Sequence, residues 1–130
     1  MTFPSLIAYS DISLVILRIM IGIIFISSGW QHFTLPIERS KTIEMSPVFT
    51  FFLGMGEFFA ALFIMLGIYV QISSLFLILI MGGAIYTKKF KWKIGFYDSK
   101  SIGWHYDLLI LTANLVFFFT NGGKYVLWSP

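Results

Sequence analysis

The chain has 130 residues, of which 58% are hydrophobic and only 12% are charged, and its mean hydropathy is +0.86. Soluble domains average about half apolar and about a quarter charged residues, so this composition excludes a soluble domain and a disordered chain. The net charge of +3 and its placement fit a membrane protein better than a nucleic-acid binder. The sequence therefore predicts an integral membrane protein with the lipid bilayer as its first partner.

Four apolar runs follow one another along the chain, each close to the length of about 20 residues that a bilayer-spanning helix needs. They cover residues 12–33, 48–69, 72–87 and 104–120, and two polar loops, 34–47 and 88–103, separate them together with one tight turn. Continuous apolar runs favour helices over alternating strands. Asn121-Gly122-Gly123 is typical of a helix end. We predict an all-α membrane protein, a four-transmembrane-helix bundle forming a single domain over residues 1–130.

The basic residues predict how the chain is oriented in the membrane. An even number of spans places both termini on one side, named face A here, and both long loops on the other side, named face B. Seven of the nine Lys and Arg residues lie in the face-B loops, whereas face A carries only Lys124. The positive-inside rule then places loops 34–47 and 88–103 in the cytoplasm and both termini outside.

Cysteine is absent, which excludes disulfides, thiolate metal sites and iron–sulfur clusters. No metal site and no covalently bound cofactor are expected, because two histidines without a surrounding motif are a poor ligand set. No Lys or Arg precedes Arg18, so we expect the first apolar run to be a span of the mature protein and not a signal peptide.

Ionisable residues inside the spans are the main functional signal, because a charge in hydrocarbon is costly and usually faces a partner in the bundle. Arg18 lies in the first span, Glu57 in the second and Asp107 at the start of the fourth. Estimated depths place Arg18 and Glu57 about one helical turn apart, which predicts a buried ion pair. Asp107 and Asn114 are seven residues apart and add a polar stripe to the fourth span. Such a pair can also fix helix register without any chemistry.

A candidate pocket follows from the clustering of polar residues near face B. His32 ends the first span and His105 begins the fourth, so both lie near face B together with Asp107, and Glu57 lies deeper. A quinone head group needs hydrogen-bond donors for two carbonyl oxygens and a route for protons. We therefore interpret His32, Glu57, His105 and Asp107 as a candidate quinone pocket, with no individual catalytic residue assigned.

Several short motifs resemble the DoxX-like family of small four-helix membrane proteins, over nearly the whole chain. They are Arg18, the Gly29-Trp30-Gln31-His32-Phe33 exit of the first span, Gly54-x-Gly56-Glu57, Gly67, Gly82-Gly83-Ala84 and the Asn121-Gly122-Gly123-Lys124-Tyr125 tail. One departure is His32, which stands near the position where the family often has a lysine. Asp107 matches in type the acidic residue that often opens the fourth span of the family.

The resemblance implies a prokaryotic protein of the cell membrane. Family members include subunits of a thiosulfate:quinone oxidoreductase and proteins of oxidative-stress complexes, so it implies a quinone-linked redox subunit that works with other membrane subunits or as a homo-oligomer. It transfers no catalytic residue, and whether the chain is an enzyme subunit stays open. One alternative is a non-catalytic assembly or scaffold subunit. A further alternative, a small proton-coupled transporter, is disfavoured because the predicted pairing with Arg18 should hold Glu57 ionised.

Overall fold

Five α-helices build the protein in the computed structural model, which describes residues 4–100 and 102–127. A 3-10 turn, Pro4–Tyr9, leads into the first helix, and a π-helical turn, Thr87–Lys91, extends the fourth. No strand occurs within these described ranges. The helices are α1 (Ser10–Thr34), α2 (Pro36–Ile43), α3 (Pro47–Leu66), α4 (Val70–Tyr86) and α5 (Trp104–Thr120).

Three of the helices are long and apolar enough to cross a membrane: α1 with its leading turn, α3, and α4 with its π-helical extension. The helix α5 has 17 residues, which corresponds to about 25 Å at 1.5 Å per residue, and it packs along α4. The prediction of an all-α membrane protein is confirmed. The four long helices form a bundle of two closely packed pairs, α1 with α3 and α4 with α5.

Turn residues set most of the helix ends. Ser46 caps α3, because its Oγ accepts a hydrogen bond from the backbone N–H of Phe49, and Pro47 follows at the first helical position, where a missing N–H costs nothing. The helix α3 ends at Leu66, three residues before the predicted end of the second span, because Gly67 adopts the left-handed conformation with φ of 78°. Asn121 likewise ends α5 in that conformation, as the sequence predicts.

The loop predicted over residues 34–47 contains a helix of two turns, α2, which packs against α1 and α3. Pro36 stands in its first turn and Glu44 ends it with a left-handed φ of 57°. The sequence predicts at most one amphipathic turn in this loop. The longer helix matters for function because it carries Arg39 towards the interior of the bundle.

Glycines bring the backbones of α1 and α3 into direct contact. A Cβ atom on Gly29 would lie 2.7 Å from the carbonyl oxygen of Gly54, and one on Gly54 would lie 2.6 Å from the carbonyl oxygen of Gly29. Nearer face A, Gly22 faces Ala61 and Met65 in the same way. Small residues of this kind let membrane helices approach closely and gain packing energy.

The face-A half of the bundle is tightly packed, whereas the face-B half is open. Ile64, Leu77 and Phe117 are fully buried and tie α3, α4 and α5 together on the side of face A. The helices α3 and α4 meet where the ring of Phe76 lies against Gly56. Towards face B the two helices enclose a cavity.

The C-terminal segment 121–127 folds back over the face-A ends of the helices. The backbone N–H of Lys124 donates to Oδ1 of Asp11 at 3.0 Å, and the N–H of Leu127 donates to the carbonyl of Leu66 at 3.3 Å. Gly122 and Gly123 have φ values of 77° and 91°, which allow this sharp return of the chain.

Candidate functional site

A cavity with a volume of about 890 Å³ lies between α3 and α4. Small-molecule sites typically measure roughly 300–1,000 Å³, so the cavity has the size of a binding site. Its walls are mainly apolar and include Phe49, Phe52 and Leu53 of α3 and Leu79 and Ile80 of α4. Side chains of α1, α2 and the π-helical turn close it with polar groups. The cavity is therefore amphipathic.

Three side chains of α1 and α3 form a polar group in the lining of this cavity: Ser28, His32 and Glu57. Nδ1 of His32 lies 2.7 Å from the carbonyl oxygen of Ser28 and 3.3 Å from the Ser28 Oγ. Because a carbonyl oxygen only accepts, Nδ1 carries a proton and Nε2 is an acceptor in the neutral ring. Oε2 of Glu57 lies 3.8 Å from the same Nδ1, so the Ser28 hydroxyl and the Glu57 carboxyl both lie beside this nitrogen.

Arg39 of α2 brings a positive charge to this polar group. Its side chain lines the cavity, and its field reaches both His32 and Glu57. The Nε atom of Arg39 is buried and makes no hydrogen bond to any part of the chain that the structure describes. A buried N–H without a partner is costly, so Arg39 is placed to donate to a bound molecule.

Two further ion pairs stand at the face-B rim of the cavity. Nζ of Lys88 lies 2.7 Å from Oδ2 of Asp107, which joins the extension of α4 to the first turn of α5. Nζ of Lys91 lies 3.5 Å from Oε2 of Glu44, which joins the same extension to the end of α2. The side chain of Trp92 and the ammonium group of Lys91 lower the pKa of the Glu44 carboxyl below its usual value.

A second, smaller cavity of about 410 Å³ adjoins the first. It lies between α1 and α5, and its polar lining includes Gln31, Tyr106 and Asp107. Ser28, Arg39 and Met81 line both cavities. These shared side chains therefore stand between the two spaces.

The structure corrects the predicted ion pair between Arg18 and Glu57. Arg18 is buried, with 2% of its surface exposed, but its guanidinium donates to the backbone carbonyls of Ile64, at 3.3 Å, and of Tyr125. Glu57, 3% exposed, faces His32 instead. Arg18 therefore binds the C-terminal end of α3, where the carbonyl groups lack helical partners and the helix dipole favours a cation.

The register of α1 against α3 explains why the prediction of this pair is wrong. The prediction places His32 and Pro47 at the same depth. In the structure Gly29 faces Gly54 and Gly22 faces Ala61, so Glu57 lies opposite residue 26. Eight residues of α1 separate that position from Arg18, which corresponds to about 12 Å along the helix axis. An arginine side chain is too short to cover that distance.

The other predicted site residues occupy different places. His32 and Glu57 line the large cavity, Asp107 lines the smaller one, and His105 lies in neither of these two linings. Nδ1 of His105 lies 2.7 Å from the carbonyl oxygen of Phe96, and its ring packs on Tyr97. The predicted four-residue pocket is therefore corrected: His32 and Glu57 share one cavity, and Asp107 lines the adjoining smaller cavity.

Asn114, the second member of the predicted polar stripe, is fully buried. Its Nδ2 donates to the carbonyl of Ile110 at 2.9 Å, one turn earlier in α5. Asn114 lines neither of the two cavities. It therefore lies in the packed core of the bundle and outside the candidate site.

Sequence reasoning misses Ser28, Arg39 and Lys88 as site residues. Arg39 and Lys88 are counted only as topology signals, because both stand in segments that the sequence assigns to loops. Ser28 lies one helical turn before His32, and this i, i+4 spacing is the signal that could have found it. For Arg39, the proline at position 36 is a helix-start signal that could have placed it on a helix.

Comparison with models of protein families identifies a family for this chain. The sequence model of the family described as DoxX matches residues 13–89, a range that includes α1 to α4 apart from the first residues of α1 and contains Ser28, His32, Arg39, Glu57 and Lys88. The searches of curated proteins and of solved structures found no match.

Proposed function

Since the chain belongs to the DoxX family, we propose that it is the small membrane subunit of a quinone-linked redox or oxidative-stress complex of a prokaryotic cell membrane, and that the larger cavity binds the quinone. The observation that carries this proposal is the amphipathic cavity of about 890 Å³, with apolar walls from α3 and α4 and one polar end. A quinone has the matching division into a polar head and an apolar tail.

The residues of the polar end suit a head group with two carbonyl oxygens. Arg39 offers a buried, uncommitted Nε–H donor, and Lys88 lines the same cavity. His32 and Glu57 are the groups that could hold a proton beside the head. The quinone supplies the electron chemistry when it is bound, and a partner subunit has to exchange the electrons.

The structure removes one argument against the transporter alternative and adds another. The main argument against a transporter is that Arg18 holds Glu57 ionised. This argument fails because the two side chains do not meet. A transporter, however, needs a path to both sides of the membrane. Both cavities lie in the face-B half, while Arg18, Gly67 and the segment 121–127 pack together at face A. This geometry favours a site that is reached from one side.

Fluorescence quenching tests quinone binding directly, because Trp92 lines the cavity. The chain, purified in mild detergent, is titrated with a short-chain benzoquinone and a short-chain naphthoquinone. We expect saturable quenching that disappears in Trp92→Phe and persists in Trp104→Phe, whose indole lies outside the cavity lining. Extraction of the purified protein should also yield a bound quinone.

A second pair of variants tests the polar end. We expect Arg39→Gln to weaken quinone binding about tenfold, which corresponds to the loss of one hydrogen bond worth about 1.4 kcal/mol. Lys89→Gln is the matched control, because Lys89 packs on the rings of Phe90 and Trp104 and lies outside the cavity lining. If no quinone binds, or if Arg39→Gln binds like the parent, the scaffold alternative gains and the proposed site is wrong.

A further inference from the structure

The smaller cavity has features that quinone binding does not explain. Polar side chains make up a larger share of its lining than of the large cavity's lining, and Gln31, Tyr106 and Ile102 at its rim are exposed. All three lie at the face-B end of the bundle, in or next to the last turn of α1 and the first turn of α5. A space of about 410 Å³ with several polar partners is large enough to hold water molecules.

Ser28 stands where this space meets the large cavity, since it lines both. Its Oγ lies 3.3 Å from the protonated Nδ1 of His32 and can accept from it. The hydroxyl proton is then free for the Glu57 carboxyl, whose Oε2 lies 3.8 Å from the same Nδ1 and makes no hydrogen bond within the described chain. A hydroxyl oxygen can accept two hydrogen bonds and donate one, so Ser28 Oγ keeps a second acceptor position for a water in the smaller cavity that it lines. That is the arrangement that proton transfer between water and a buried carboxylate requires.

We propose that the smaller cavity is a water-filled proton entrance from face B, and that the Ser28 hydroxyl is the last relay between this water and Glu57. Ser28 gives its hydroxyl proton to the Glu57 carboxylate and regains one from a neighbouring water, which is replenished from the face-B solution. One proton moves and no electron is transferred. Asp107 lines the entrance beside Gln31. The route would serve to protonate a bound quinone head group. Only this use of the route rests on the proposed function.

The charged groups around the route come from every neighbouring helix. His32 of α1 and Arg39 of α2 face Glu57, and Asp107 of α5 is held by Lys88 of the α4 extension. Because Lys88 and Asp107 neutralise each other, the positive charge of Arg39 is the one that remains to act on Glu57. The route thus ends at a buried carboxyl that has a cation nearby.

Hydrogen–deuterium exchange of the protonated Glu57 carboxyl, followed by infrared spectroscopy without any quinone, tests the route. The band is identified by its absence in Glu57→Gln, and each variant is measured at a pH where its own band shows Glu57 protonated. We expect Ser28→Ala to slow exchange about tenfold or more, because the relay is gone. Ser28→Thr should keep the parent rate, since it restores the hydroxyl.

Two further variants keep the test decisive. Ser13→Ala is the matched control on the same helix, because its Oγ bonds to the carbonyl of Tyr9 near face A, and it should exchange at the parent rate. Ile24→Phe fills the smaller cavity, whose lining includes Ile24 while that of the large cavity does not, and it should slow exchange even if Ser28→Ala fails to fold. Parent-like exchange in Ser28→Ala, or in Ile24→Phe, overturns the route whether or not quinone binds.

Discussion

A single buried arginine holds the face-A end of this protein together. Arg18 donates to the last turn of α3 through Ile64 and to the C-terminal segment through Tyr125. Its side chain also packs against Gly67 and Gly122, where any larger residue would collide with it. Because all of these partners are backbone groups, Arg18 fixes the path of the chain and leaves the chemistry to the face-B cluster.

Replacing Arg18 by methionine should therefore destabilise the protein independently of Glu57. We expect Arg18→Met to lower the free energy of unfolding by about 2–4 kcal/mol, since hydrogen bonds from a charged group are worth about 1.5–3 kcal/mol each. The measurement is reversible unfolding in mixed detergent micelles. Adding Glu57→Gln should change this value additively, within about 0.5 kcal/mol, because the two side chains share no partner.

One outcome of the same double-mutant cycle would contradict this prediction. A coupling of more than about 1 kcal/mol between Arg18→Met and Glu57→Gln would show that the two residues interact, as the sequence alone predicts. The cycle of His32→Ala with Glu57→Gln is the positive control. Its two side chains lie 3.8 Å apart, so it should show a coupling that the first cycle lacks.

At the scale of the helices, backbone contact between α1 and α3 determines where the functional residues meet. Gly29 and Gly54 set the register of the two helices, and this register brings His32 next to Glu57. The pair α4 and α5 is joined in another way, through Lys88 and Asp107 near face B and through Gln71, whose Nε2 donates to the carbonyl of Phe118 near face A. The cavities lie between the two pairs, where packing is looser.

A methyl group at this crossing should be costly. In Gly29→Ala the new Cβ would lie 2.7 Å from the Gly54 carbonyl oxygen and 2.8 Å from the Phe58 nitrogen, so the two backbones must separate. We expect a loss of about 1–3 kcal/mol in unfolding free energy. The same unfolding assay applies, and looser packing should also alter the position of His32 relative to Glu57.

Gly82→Ala is the matched control for this prediction. Gly82 lies inside α4, and a Cβ added there meets nothing within 4 Å. Since alanine favours helix over glycine by about 0.8–1.0 kcal/mol, this variant should be neutral or stabilised. A Gly29→Ala protein as stable as Gly82→Ala would show that α1 and α3 do not touch at Gly29.

At the scale of the whole molecule, the two faces have different roles. Face A is closed by Arg18 and the segment 121–127. Face B carries both cavities and most of the basic residues, including Arg39, Lys88 and Lys91. If the positive-inside rule holds, the proposed site and its proton entrance open towards the cytoplasm.

Cysteine labelling tests this orientation. Leu127→Cys places a thiol on the face-A side at an exposed position, and Ser99→Cys places one in the exposed face-B loop. An impermeant thiol reagent added to intact cells should label Leu127→Cys and leave Ser99→Cys unlabelled until the cells are permeabilised. The parent has no cysteine and serves as the blank. The reverse pattern would invert the topology and place the proton entrance outside.

The sequence by itself determined the class of protein, because four apolar runs in 130 residues have few alternatives to helices in a bilayer. It also determined α5 within its predicted bounds, 104–120, and the helix end at Asn121, since both rest on local propensity. The burial of Arg18, Glu57 and Asp107 could likewise be anticipated, because ionisable groups in spans turn away from lipid.

Only the tertiary structure decided which of these charges meet. The partner of each charged side chain depends on the register between helices. The register of α1 against α3 differs from the predicted one by about one turn, so Arg18 and Glu57 are apart and Glu57 lies beside His32. It also depends on α2 and the π-helical turn, whose polar sequences look like loops until packing against the bundle makes them helical. Arg39 and Lys88 reach the cavity through these segments, so the site exists only where non-local contacts place it.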